Sequence, residues 1–184
     1  MNASGYDLRL GRSAELRELR RIEREAGILF AEVGMHAVAD DDPPTIEELE
    51  AYRAAGRLWV VKAGDQPVGY ALAETVDGHG HLAQLSVVPT HGRRGLGRAL
   101  CCQVEDWARG QGHRAVTLTT FAEVAWNAPY YRRLGYRPMS EAEFGPQLQA
   151  IVAAETDRGL GRWARLSMIK PVRLDRTHGS DKLD

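Results

Sequence analysis

Cysteine is close to absent from this chain: its 184 residues hold two, Cys101 and Cys102, and they are neighbours. Adjacent cysteines in a helix point apart and rarely bridge. That excludes a disulfide-stapled scaffold and predicts a reducing, cytoplasmic setting, with Cys101 as core filling. Long apolar runs are missing too. None reaches the roughly 18 residues that a membrane-spanning helix needs, and no basic segment followed by an apolar run opens the chain. Neither a membrane span nor a signal peptide is expected. Charge is balanced, with 24 Lys and Arg against 25 Asp and Glu, so there is no electrostatic footprint for nucleic acid. Internal repeats and low-complexity linkers are also absent. The length suits one hydrophobic core. Residues 1–172 are expected to form a single domain, and the largely polar stretch 173–184 a flexible tail.

Hydrophobic periodicity supplies an element order. Tyr6–Leu10 reads as a first strand. Ser13 is placed to cap a helix, with Glu15 favourable to its dipole, and Leu16, Leu19, Ile22 and Ala26 then recur at helical spacing. The apolar, glycine-punctuated stretch 28–38 continues that helix with a bend or forms a second short one. Two prolines make 40–44 a loop. Thr45 and Glu48 form a capping box that opens a helix to about Ala55. Leu58–Ala63, Val68–Val76 and His81–Val88 are three closely spaced strands, an antiparallel meander. A helix over Leu96–Arg109 follows, with Leu96, Leu100, Val104 and Ala108 as its apolar stripe. Beyond it lie a strand at Ala115–Phe121, a short helix at Val124–Arg133, and an extended segment restarting at Tyr136. A helical stretch from Ser140 or Glu141 to about Glu155 and a last strand at Trp163–Lys170 complete the order. This is a mixed α/β architecture.

The junction between meander and helix carries the chemistry. Residues 92–98 are Gly-Arg-Arg-Gly-Leu-Gly-Arg. Glycines admit dihedrals that other residues avoid, and the first amides of the following helix lack partners and favour an anion. Arg93, Arg94 and Arg98 add positive charge at the same point. A nucleotide P-loop would need a Lys after the glycines, and none is there. A dinucleotide fingerprint would need different glycine spacing near the first strand. The pyrophosphate of coenzyme A is the third reading, and a plain solvated turn the fourth.

A second block decides among them. Leu85-Ser-Val-Val-Pro89 feeding Arg93-Arg94-Gly95-Leu96-Gly97-Arg98 resembles the acetyl-CoA-binding motif of the GNAT superfamily of N-acetyltransferases. About thirty residues on, Trp126-Asn127-Ala-Pro-Tyr130-Tyr131-Arg-Arg-Leu-Gly135-Tyr136 is similar to that family's second block, ending in its Tyr-x-x-x-Gly-aromatic pattern. The resemblance covers roughly residues 6–172. It implies the acyl-CoA N-acyltransferase fold: a mostly antiparallel mixed sheet of six or seven strands, splayed at the coenzyme site and flanked by helices. It implies acetyl-CoA as donor, no metal, and direct attack by an amine in a ternary complex. The pantetheine arm would lie along Leu85, Ser86 and Val87. The pyrophosphate would sit over Arg93, Arg94, Gly95, Leu96, Gly97 and Arg98. Asn127 would approach the coenzyme, and Tyr131 would protonate the leaving thiolate, with Tyr130 a packing residue. One position departs from the pattern: Gly92 stands where the family usually has Gln or Arg.

Acyl transfer also needs a neutral amine. Glu74 is the first candidate base, directly or through a water, with His81 next; Gln84 is the other polar side chain in the central strands. No dedicated base is the remaining alternative. His79 and His81 share a strand face, but no third and fourth ligand accompanies them for a metal. For the acceptor, no Lys or Arg occurs between Glu25 and Arg53, a span holding Glu32, Asp40, Asp41, Asp42, Glu47, Glu48 and Glu50. Such a field draws a cationic amine. Beside it, Ile28, Leu29, Phe30, Val33 and Met35 suggest an apolar pocket, so Phe30 and Glu32 are the candidate acceptor contacts. Residues 140–162 insert a helix that could cover the site, favouring a small-molecule amine over a peptide N-terminus or a lysine tail. A non-catalytic acyl-CoA-binding or regulatory domain, and an enzyme of longer acyl chains, are the competing functions. A homodimer is compatible with this fold.

Overall fold

Leu16, Leu19 and Ile22 all fall on one side of the first helix and are buried there. That stripe anchors the helix to the central sheet. The computed structural model describes residues 5–173; the tail expected at 173–184 therefore lies, apart from Arg173, outside the described residues. Seven strands form one sheet: β1 (Tyr6–Leu10), β2 (Leu58–Ala63), β3 (Gln66–Val76), β4 (His79–Val87), β5 (Ala115–Phe121), β6 (Arg137–Pro138) and β7 (Arg165–Pro171), in the order β1-β2-β3-β4-β5-β7-β6. All neighbours are antiparallel except β4 and β5, which run parallel. The expected meander is β2-β3-β4. The helices are α1 (Leu16–Glu32), α2 (His36–Ala39), α3 (Ile46–Ala54), α4 (Leu96–Gly110), α5 (Ala128–Arg133) and α6 (Pro146–Asp157). The core draws on both sheet faces, with Tyr70, Leu72, Leu49 and Leu19 fully buried and Leu100, Val104, Val116 and Leu118 likewise.

Three helix starts differ in how they are closed. Thr45 accepts from the Glu48 amide while Glu48 accepts from the Thr45 amide, the expected capping box of α3. Ser13 does not cap as anticipated: its hydroxyl donates to Glu50, and Glu15 instead receives the Arg12 amide. The stretch after Ser140 splits. A single turn at Glu141–Glu143 is followed by Phe144 and Gly145 in extended conformation, and α6 starts at Pro146. The reason is tertiary: Asp77, at the tip of the β3–β4 hairpin, accepts from the amides of Gln147 and Leu148 and so caps α6 from another element.

Two irregularities shape the centre of the sheet. Between β3 and β4 the register shifts. Leu72 opposes Gln84 and Ala73 opposes Leu82, so Ala83 is an extra residue on β4. Such a bulge turns the side chains beyond it. Between β4 and β5 only Gly80–Val116 and His81–Thr117 are paired. From Leu82 onward the strands separate.

Candidate active site

The separation of β4 from β5 opens a cleft of about 1630 Å³. A single ligand pocket typically holds about 300–1,000 Å³, so this one has room for two substrates side by side. Its floor comprises residues 82–87 of β4 and 118–121 of β5. Each strand keeps its outer ladder, to β3 and β7 respectively. Half of a strand's backbone groups point to each side, so those facing the gap have no strand partner and are available to a ligand.

At one end lies the glycine turn. Gly95 sits at φ +80°, in the left-handed region that L-residues avoid, and is the N-cap of α4. No side chain caps this helix. Its first amides, beside Arg93 and Arg98, border the cleft together with Gly92 and Gly97. Arg93 also has positive φ, at 58°, a strained geometry for a non-glycine residue that recurs at ligand sites. An added Cβ at Gly97 would meet the Tyr130 hydroxyl at 2.9 Å. The missing side chain thus admits Tyr130 as well as any ligand. An open helix N-terminus with two arginines fits a pyrophosphate. Arg94 is different. It does not line the cleft; its guanidinium donates to the Tyr6 hydroxyl, which is bonded to His91 Nδ1. It fastens β1 to the turn.

The second block lines the cleft beside this turn, with Tyr130 against Gly97. Asn127 precedes α5 and accepts a hydrogen bond from the Thr120 hydroxyl at 2.8 Å. Tyr131 lines the cleft, its ring edge-on to Tyr130 and Tyr136. Burial first, then the neighbouring Cys101, pushes its phenol well above the usual value. The hydroxyl is therefore protonated at any working pH. Cys101 is buried and Cys102 exposed, both free.

The other end, where the acceptor was expected, is built by α1, the 40–45 loop, α3, α6 and β7. Leu29 and Phe30 line it, as do Asp41, Asp42 and Glu48. Phe30 stacks edge-on against Phe121 and Trp126, with ring centroids 5.5 and 5.6 Å apart. Glu155, Arg158 and Leu160 bring the inserted 140–162 region into the wall; Glu155 is paired with Arg165 at 2.8 Å. Glu32 is exposed at the end of α1 and absent from the lining. Ile28 and Val33 are exposed as well, and Met35 is buried.

The candidate bases fare differently. Glu74, His81, Gln84 and Ser86 lie opposite, or in register with, residues on one face of β3. The bulge at Ala83 puts His81 and Gln84 on that common face although they are three apart. His81 is buried in the last paired rung, bonded to Thr117 Oγ1 at 2.8 Å, and burial pulls its pKa down to about 4. Glu74 lies beside Arg57 and Tyr52; burial raises its carboxyl, with those two neighbours opposing. Neither is among the cleft-lining residues. Glu23 of α1 is. Its carboxylate accepts from Gln84 Nε2 at 2.9 Å and from the Tyr70 hydroxyl. Sequence reasoning passed over it, yet a signal exists. Glu23 stands four residues after Leu19 and three before Ala26, inside the apolar stripe rather than opposite it.

Residues 16–136 match the acetyltransferase (GNAT) family. Among curated proteins, the uncharacterized N-acetyltransferase YjcF of Bacillus subtilis (strain 168) is 29% identical over 107 residues, which is 58% of this chain and 74% of that protein. Among solved structures, N-acetylglutamate synthase from Neisseria gonorrhoeae, complexed with coenzyme A and N-acetyl-glutamate, has a TM-score of 0.68 at 16% identity, over 94% of this chain and 36% of that one. PaiA N-acetyltransferase from Thermoplasma acidophilum, in complex with coenzyme A, has a TM-score of 0.66 at 12% identity, over 91% and 99%. At these identities the structural likeness speaks for the fold.

Proposed function

The chain belongs to the acetyltransferase (GNAT) family, and from that premise we propose that it moves an acetyl group from acetyl-CoA to the primary amine of a small molecule, by direct attack within a ternary complex. The observation that carries this reading is the gap between β4 and β5, which runs from the open end of α4 to the Phe30–Trp126 wall. The amides of residues 95–98 with Arg93 and Arg98 would hold the pyrophosphate. The free edges of residues 82–87 would bind the pantetheine arm and orient the carbonyl. Oriented amides stabilise the charge that the carbonyl oxygen gains on attack. Tyr131, a neutral phenol in the cleft wall, supplies a proton to the departing thiolate. The bound thioester contributes an activated acyl carbon; everything else is done by this chain.

The acceptor end favours a cation with apolar surface. Asp41, Asp42 and Glu48 attract an ammonium group, while Phe30, Phe121 and Trp126 offer aromatic faces to the rest of the molecule. Glu155, Arg158 and Leu160 narrow that end, which supports a small acceptor over a protein tail. The test is thiol release from acetyl-CoA across a panel of aliphatic, aromatic and polyamine acceptors. Amine-dependent release, strongest for small amines with apolar substituents, is expected. Tight coenzyme binding without release on any amine would replace the enzyme reading with a non-catalytic acyl-CoA-binding domain.

A further inference from the structure

We propose that Glu23, rather than Glu74 or His81, is the general base of the reaction, held in place by Tyr70 and Gln84. The inference rests on the acetyl-transfer reading above. Its geometric ground is a carboxylate within the cleft, carried on a long helix and gripped from two strands: Tyr70 of β3 donates to Oε2 and Gln84 of β4 donates to Oε1 at 2.9 Å. A carboxylate fixed at both oxygens by packed elements has a defined position, which a base needs. Among the described residues no positive charge acts on it; Arg158 lines the same cleft without contributing, and Arg165 there is paired with Glu155. Among the elements against it, β3 presents Tyr70, β4 presents Gln84, with the Ser86 hydroxyl bonded to Gln84 in turn, and the loop before α3 presents Asp41. The α3 residues facing the same cleft are Glu48 and Tyr52, and His36 of α2 is exposed. On its own helix Arg24, Arg21 and Arg20 are the nearest cations in sequence; Arg21 is paired with Glu18 and Glu25, and none of the three contributes to its titration. A part-buried carboxylate without a cation, at the acceptor end of a cleft, is completed by the substrate's ammonium group.

The environment also sets its basicity. Burial foremost, with Asp41 adding to it, lifts the Glu23 carboxyl to about 7, against the opposing hydrogen bonds from Tyr70 and Gln84. A base works best when its pKa lies near the working pH. The proton balance follows. The acceptor's ammonium loses one proton to Glu23, directly or through a water, and the amine nitrogen bonds to the acyl carbon. The carbon–sulfur bond breaks, and Tyr131 protonates the sulfur. Glu23 gives its first proton to solvent, the amide nitrogen's remaining surplus proton then leaves through the freed carboxylate, and Tyr131 takes a proton back from solvent, so one proton is released net.

Two measurements test this separately from the acetyl-transfer reading. In the protein labelled with 13C at the glutamate δ carbons, one carboxyl is expected to titrate near pH 7, and its signal to vanish in Glu23→Gln. If every carboxyl titrates in the ordinary range, the proposal is overturned even if the enzyme is active. In the thiol-release assay, with the panel amine that turns over fastest, Glu23→Gln is expected to lower kcat by about 100-fold or more and to abolish the rise of rate with pH near 7, with acetyl-CoA affinity unchanged. Tyr70→Phe, which removes a donor to the carboxylate, should move that rise to higher pH. A Glu23→Gln profile that matches wild type in shape and height would assign the residue a purely structural role. No turnover of any amine by the wild-type protein would strike at the acetyl-transfer reading instead.

Discussion

Tyr131 and Glu23 both line the cleft, and burial shifts each in the direction that its proposed task requires. Burial keeps the Tyr131 phenol protonated; the same effect makes Glu23 a far stronger base than a surface carboxylate. Tyr131→Phe should therefore lower kcat by roughly 100-fold or more and leave the KM for acetyl-CoA within a few-fold, as initial-rate kinetics would read out. Glu23 also writes a signature on stability. Its carboxyl titrates near the ordinary 4.5 when unfolded and near 7 when folded. Below 4.5 its contribution is fully present. Between the two values the unfolded chain releases the proton first, so stability falls as pH rises, by on the order of 3 kcal/mol in all. Urea midpoints measured from pH 4.5 to 8 should lose that part of their slope in Glu23→Gln. Residues of this kind are hard to read from sequence. Glu74 and His81 were legible as polar positions in central strands, but α3 and Arg57 occupy the surroundings of one, and the β4–β5 rung buries the other. The extra residue at Ala83 breaks the simple alternation on which strand reading depends.

At the scale of elements, periodicity and caps carried far. The meander, α3, α4 and β5 appear within one or two residues of their expected bounds, and α1 runs on through the start of the stretch 28–38 to Glu32, because each is decided by local pattern. The break at 144–145 and the Ser13 cap were not legible, since the partners that decide them, Asp77 and Glu50, are far away in the chain. Asp77 makes this testable. Asn tolerates its left-handed φ of 50° but brings one acceptor oxygen where the carboxylate brings two. Asp77→Asn should cost about 0.5–1 kcal/mol through the weakened helix start. It should raise the KM of the acceptor more than that of acetyl-CoA, because α6 leads into the acceptor wall and lies away from the turn. The glycine turn gives the converse. Gly97→Ala puts a methyl against the Tyr130 hydroxyl, displacing that ring beside the turn, and should weaken acetyl-CoA binding in calorimetry with little change in acceptor KM. Of the three arginines singled out there, only Arg94 turned away, drawn to Tyr6 on β1. That contact joins residues 88 apart in the chain and has no mark in the local sequence.

Across the whole molecule the cleft separates two groups of charge: Arg93, Arg98 and Arg133 on the side of the turn, and Glu23, Asp41, Asp42 and Glu48 on the side of α1 and α3, where Arg158 and the Glu155–Arg165 pair also line the wall. The near-balanced charge of the chain, a net −1, conceals this separation. In the proposed reaction it would order the two substrates, an anionic coenzyme at one end and a cationic amine at the other, with the parting of β4 from β5 between them. That parting is the centre of the account, and amide hydrogen exchange with and without acetyl-CoA tests it most directly. Acetyl-CoA should slow exchange in residues 82–87 of β4 and 92–98 of the turn, and leave β1 and β2 unchanged. Saturable binding with no added protection in either segment, or with protection confined to another face of the sheet, would contradict it.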